Sequence, residues 1–108
     1  MGGEVTSPTQ LTLRHLRNEG WTAAIVEFWN PHARVRNDLF GFVDVLALRG
    51  AETLAVQTTS DSNVSARVRK IADSPNIAAV REAGWSVAVH GWKLNDKGRW
   101  QVRIVDVS

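Results

Sequence analysis

The chain has 108 residues, no cysteine, thirteen basic against eleven acidic side chains, and a net charge of +2. That length suits one hydrophobic core and is too short for two, so a single domain over residues 1–108 is expected. The lack of cysteine excludes a disulfide framework and any thiolate zinc site. No apolar run approaches the about 20 residues that a membrane-spanning helix needs.

Met1 to Thr6 reads as a flexible leader with neither the basic nor the apolar region of a signal peptide, so a cytoplasmic protein with no membrane partner is expected. Ser7-Pro8-Thr9-Gln10 is a helix start: Ser7 caps, Pro8 fits the first helical position and Gln10 completes a capping box. Leu13 and Leu16 share a face, and Gly20 ends the helix at about Glu19. Thr22 to Trp29 is β-branched and apolar and predicts a first strand, broken by Asn30-Pro31-His32. The polar, basic stretch His32 to Asp38 reads as a loop.

Phe40 to Leu48 predicts the second strand and Leu54 to Thr59 the third, joined by the turn Arg49-Gly50-Ala51-Glu52. Ser60 to Asn63 is a cluster of capping residues, after which Val64, Val68 and Ile71 recur at helical spacing. Ser74-Pro75 ends this helix and opens a short third one carrying Ile77 and Val80, up to Gly84. Trp85 to Trp92 predicts a fourth strand, Asn95 to Gly98 a turn, and Trp100 to Val107 a fifth strand. The order αβββααββ is that of an α/β domain with a mixed central sheet. The helices between the third and fourth strands supply the crossover that parallel pairing requires.

Side chains alternate faces along a strand. Phe42, Asp44 and Leu46 share one face, as do Ala55, Gln57 and Thr59. With Gly50 and Ala51 as the turn residues, Arg49 opposes Glu52, and the same register sets Asp44 opposite Gln57 with Thr59 diagonal to it. An ionised aspartate among Phe42, Val43, Val45 and Leu46 is costly unless paired with an arginine, open to water at an edge, or bound to a metal. Two further polar groups converging on it favour a site.

Ten of the thirteen basic residues are arginine, which suits bidentate contact with phosphate. Arg34 and Arg36 precede the Asp44 strand, and Arg67, Arg69 and Lys70 lie off the apolar face of the second helix. Both segments either flank the polar spot or form ordinary solvated faces; flanking it, they would suit a phosphodiester backbone. Of the five tryptophans, Trp85 and Trp100 read as core. Trp29 and Trp92, at strand ends, are the ones open to nucleic acid or a partner surface. His15, His32 and His90 are too scattered to form a metal site.

From Pro8 to Trp92 the chain resembles the PD-(D/E)XK nuclease superfamily, particularly its small Holliday-junction-resolvase-like and phage-encoded members. The residues that carry the resemblance are Asp44 in Phe42-Val43-Asp44-Val45-Leu46, the third-strand segment Val56-Gln57-Thr58-Thr59, and the approach Asp38-Leu39-Phe40-Gly41. It implies a restriction-endonuclease-like core and a divalent-metal-dependent DNA endonuclease acting on branched or structured DNA. It further implies Mg²⁺ or Mn²⁺ held by Asp44 and Gln57, and a homodimer. Gln57 stands where the family has glutamate, Thr59 where it has lysine, and Thr9 and Gln10 where the first helix often has a glutamate.

An amide for a carboxylate keeps an oxygen ligand and drops a charge, so affinity for Mg²⁺ falls. Without the strand lysine, a group that orients water and stabilises phosphorane charge is missing. Lys70 is the preferred substitute, ahead of Arg67 and Lys93. The expected catalytic set is Asp44, Gln57, Thr59 and Lys70; Asp38 is a further ligand candidate unless it simply caps a turn, and Glu27 another unless it points outward at an edge. Arg34, Arg36, Arg67, Arg69 and Lys70 are the expected DNA contacts. The main alternative is a nucleic-acid-binding domain on the same scaffold that has lost the chemistry, and a further one is a purely structural oligomer subunit with a vestigial polar spot.

Overall fold

The computed structural model describes residues 6–108, so most of the expected leader lies outside the described residues. Helix α1 spans Pro8–Asn18, and Ser7 Oγ accepts the Gln10 N–H at 3.2 Å at its start. Leu11, Thr12, Leu13 and Leu16 form its buried face. Gly20, at φ +90°, turns the chain into strand β1, Thr22–Ile25.

The first predicted strand divides. After β1 the chain leaves the main sheet and makes a separate two-stranded arm from β2, Phe28–Asn30, and β3, Val35–Asn37. The segment read as a loop therefore contains β3. Its polar, basic composition fits an arm whose residues from His32 to Arg36 are all exposed. Arg34 takes a left-handed φ of 56° beside the arm's tip, and Asn30 Oδ1 accepts the His32 and Ala33 N–H groups.

Strands β4, Val45–Arg49, and β5, Glu52–Ser60, form the expected hairpin, with Arg49 opposite Glu52 and Val45 opposite Val56. A 3-10 turn, Asp61–Asn63, leads into α2, Val64–Ala72, then α3, Ile77–Glu82. Strands β6, Ser86–Leu94, and β7, Trp100–Asp106, complete a five-stranded sheet of order β1-β4-β5-β6-β7. The sheet is mixed: β5 and β6 are parallel, and the other pairs are antiparallel. This is an α/β fold. Among the described residues, no helix is long and apolar enough to cross a membrane.

Alternation along the strands builds two cores. Val45, Ala47 and Val56 pack with Leu13 and Leu16 of α1 on one face of the sheet. Phe42, Ala55, Val87 and Val89 pack with Val64, Ile71, Ile77 and Val80 on the other. Gly91 of β6 lets the second layer close in, because a Cβ there would collide with Val64 Cγ2 and lie 3.1 Å from Asp61 Cα. Trp92 belongs to the interior: it is buried, and its indole N–H donates to Thr12 Oγ1 at 2.9 Å. Trp85 packs half-buried against the second core. Trp100 is exposed, because α1 does not extend over β7, the outermost strand.

A cleft of carboxylates ringed by cations

Asp44 lies just before β4 rather than within it. The expected second strand starts late because Leu39 to Val43 folds into a tight turn: Leu39 and Val43 exchange both backbone hydrogen bonds, at 3.1 and 2.9 Å. The turn runs through left-handed φ at Phe40, 56°, and Gly41, 85°. A bulky residue there costs roughly 1–2 kcal/mol. Asn76 Nδ2, donating to Phe40 O at 3.1 Å, and the Trp85 ring, 5.9 Å away between centroids, hold Phe40 in place. The turn sets Asp38 and Asp44, one on each side of the Leu39–Val43 bridge, side by side.

The paired register runs from Arg49–Glu52 to Val45–Val56 and stops there, and the Asp44 N–H, one residue out of that register, also donates to Val56 O at 2.9 Å. The Asp44 and Gln57 side chains nonetheless meet, as the turn predicts. One carboxylate oxygen, Oδ2, accepts from Gln57 Nε2 at 2.7 Å, from the Thr58 N–H at 2.8 Å and from Thr58 Oγ1 at 3.1 Å. Thr58 Oγ1 also lies 2.8 Å from Thr9 Oγ1 at the start of α1. Asp44 is 4 % exposed and Gln57 2 %. The remaining amide atom, Gln57 Oε1, is buried without a hydrogen-bond partner.

Glu27, in the irregular link between β1 and β2, completes the group: Glu27, Asp38 and Asp44 each offer an oxygen within 4.8 Å of the others. Like charges at this spacing favour the neutral form. Burial above all, then Asp38 and Glu27, raises Asp44 from 3.8 to about 7, against the opposing pull of the Thr58 N–H. Three cations surround the carboxylates. Lys70 Nζ is 3.5 Å from Asp38 Oδ2, Arg36 Nη1 is 3.4 Å from Glu27 Oε1, and Arg67 lines the same opening. The whole forms an open cleft of about 540 Å³.

The fold thus brings Asp44, Gln57, Thr59, Lys70, Arg36 and Arg67 into one cleft, together with Asp38 and Glu27. Two expected contacts do not line it. Arg34 stands beside the tip of the β2–β3 arm, and Arg69 lies on a different side of α2 from Arg67 and Lys70. Sequence reasoning missed Thr9 and Thr58. Thr58 alternates to the other face of β5, and only its backbone N–H and the reach of its hydroxyl bring it to Asp44. The polar network of Thr12, His90 and Trp92 was also missed; there Thr12 Oγ1 lies 3.2 Å from His90 Nδ1.

The cleft's donor set is one of hard oxygens: three carboxylates and an unpartnered amide carbonyl. Such a set suits Mg²⁺, Mn²⁺ or Ca²⁺ rather than a thiophilic metal. Neighbouring ligand oxygens on one octahedral ion at about 2.1 Å lie about 3 Å apart, so the three carboxylates, within 4.8 Å of one another, would have to draw closer to share one ion. Comparison with protein-family models, with curated proteins and with solved structures finds no match for this chain.

Proposed function

We propose that the protein is a divalent-metal-dependent DNA endonuclease of the PD-(D/E)XK type. The observation that carries this reading is the carboxylate cluster of Glu27, Asp38 and Asp44 beside the orphaned Gln57 Oε1, ringed by Lys70, Arg36 and Arg67. The element order, with α1 on one face of the sheet and α2 on the other, agrees with the resemblance. Asp38 and Glu27 make up the charge lost with glutamine at position 57. Lys70, reaching in from α2, makes up for threonine at position 59.

In this reading Asp44, Asp38, Glu27 and Gln57 Oε1 would hold Mg²⁺ or Mn²⁺. The ion would supply Lewis acidity toward the phosphate and a more acidic bound water. The protein's own groups do the rest. Arg67 and Arg36 bind the non-bridging phosphate oxygens and fix the backbone across the opening. Lys70 exchanges its pairing with Asp38 for the phosphate, where its ammonium offsets the charge gained in the pentacoordinate state. Gln57 and Thr58 hold Asp44 Oδ2, leaving Oδ1 free for the ion. Cleavage of supercoiled or branched DNA in Mg²⁺ or Mn²⁺, lost in Asp44→Ala, tests the reading.

A DNA-binding domain without chemistry is the second reading. It is favoured by the missing strand lysine and by the share of Lys70's charge already committed to Asp38. Wild-type binding without cleavage would select it.

The homodimer contact we assign to the free edge of β7. Trp100 and Ile104, 42 % and 51 % exposed, share a face with Val102. Antiparallel pairing of two β7 edges about Val102 sets Trp100 of each copy against Ile104 of the other. It also brings Asp106 of one to the end carrying Lys97 and Arg99 of the other. The contact predicts a dimer in sedimentation equilibrium and a monomer for Ile104→Arg.

A further inference from the structure

One exposed aromatic beside the cleft has no part in holding a metal or a phosphate. Trp29 is the cross-strand partner of Arg36 in the β2–β3 arm, and directly paired residues share a face. Arg36 lines the cleft and reaches Glu27. Trp29 therefore stands on the cleft side of the arm, just outside the cleft's lining and two residues along the chain from Glu27. It is 58 % exposed, and among the described residues no ring or hydrogen bond holds its indole.

The surroundings decide what would cover it. The opposite face of the arm carries Phe28 and Val35, both exposed, paired with Asn37 and Asn30, and no cation. The Trp29 face mixes an indole with Arg36 and Glu27, beside Arg67 and Lys70. An aromatic plane among phosphate-binding cations is the composition of a single-strand nucleic-acid surface, where bases stack and cations follow the backbone. The interior bases of a continuous duplex have both faces stacked on their neighbours. Only an unpaired base offers a free face.

We propose that Trp29 stacks on an unpaired base next to the phosphate in the cleft, so that the site takes DNA with a single-stranded segment, such as a flap, gap or branch point, in preference to continuous duplex. The inference rests on the nuclease reading for what happens at that phosphate. It concerns binding, so it can be tested apart from cleavage.

The test measures affinity in Ca²⁺, a hard oxygen-seeking cation, for a plain duplex and for the same duplex with an oligothymidine flap. The proteins are wild type, Trp29→Ala and Trp29→Phe. Trp29→Ala should lose on the order of tenfold (about 1.4 kcal/mol) on the flap and nothing on the duplex. Trp29→Phe should stay within about threefold of wild type. Abasic sites in the flap should bring wild type down to the Trp29→Ala level and leave Trp29→Ala unchanged; this arm needs only the wild-type fold. Equal loss on both DNAs, no loss on either, or no effect of abasic sites would overturn the inference while leaving duplex cleavage untouched. A change from dimer to monomer in Trp29→Ala would reassign the residue to a protein contact and also overturn it. Wild type that binds no DNA would overturn the nuclease reading itself.

Discussion

Gln57 donates through Nε2 to Asp44 Oδ2 at 2.7 Å, and the oxygen at the other end of the same amide is buried with no partner. The amide orientation is set by its neighbour: with the carbonyl turned toward Asp44, two acceptors would face each other. Leaving a buried acceptor unpaired costs about 1–3 kcal/mol. Beside it lies an aspartate with its pKa raised to about 7. On the proposed reading, a cation in the cleft would relieve both costs.

Asp44 should destabilise the metal-free protein at neutral pH. Its folded pKa, about 7, lies above the ordinary 3.8, so its contribution is greatest below 3.8 and is lost as pH rises toward 7. His90 acts in the opposite sense. Burial first, then His15, lowers it from 6.5 to about 4, so its contribution is full above 6.5 and is lost as pH falls toward 4. The two windows overlap and offset each other. Asp44→Asn keeps an acceptor for Gln57 and Thr58 without the charge. In chelator at pH 8 it should melt about 5 °C or more above wild type. Between pH 6.5 and 4 it should lose on the order of 3 kcal/mol more than wild type, as the His90 slope emerges. Equal melting temperatures at pH 8 would count against the strain assigned to Asp44.

Phosphate contact should follow the cleft, not the overall count of arginines. Arg36→Gln and Arg67→Gln should each reduce the slope of log affinity against log salt by about 0.9, without changing sequence preference. Arg69→Gln should leave the slope at the wild-type value, because Arg69 does not line the opening. Equal slopes for Arg67→Gln and Arg69→Gln would reduce α2 to a generally basic helix.

Much of this arrangement was legible in the sequence because it rests on local rules. Gly50 in a two-residue turn fixed the register from Arg49–Glu52 back to Val45–Val56, and strand alternation beyond it brought the Asp44 and Gln57 side chains together. Val64, Val68 and Ile71 fixed the face of α2, which brought Arg67 and Lys70 to the same side as Thr59. The rest depended on contacts between distant segments or on unusual backbone. Nothing local announced that the chain would leave the sheet after Ile25, so Glu27's approach to Asp44 could be named but not placed. The closing of Asp38 onto Asp44 needs a left-handed Phe40, a conformation that propensity disfavours and that Asn76 and Trp85 support from far along the chain. Trp92 and Trp100 exchanged their expected roles because burial on this sheet is decided by where α1 ends. Strand pattern does not carry that information.

The most direct test is cleavage itself. Supercoiled and flapped DNA are incubated with wild type, Asp44→Ala, Asp38→Asn and the double variant Gln57→Glu/Thr59→Lys, in Mg²⁺, in Mn²⁺ and in chelator. Wild type should cut only with metal. Asp44→Ala should lose cleavage while keeping DNA affinity, since removing a negative charge beside phosphate does not weaken attraction. Asp38→Asn should need more metal to reach the same rate, and the double variant should cut at least as fast as wild type. Wild type that binds DNA without cutting it in either metal would contradict the account, and cutting by the double variant alone would then identify a binding domain on a nuclease scaffold.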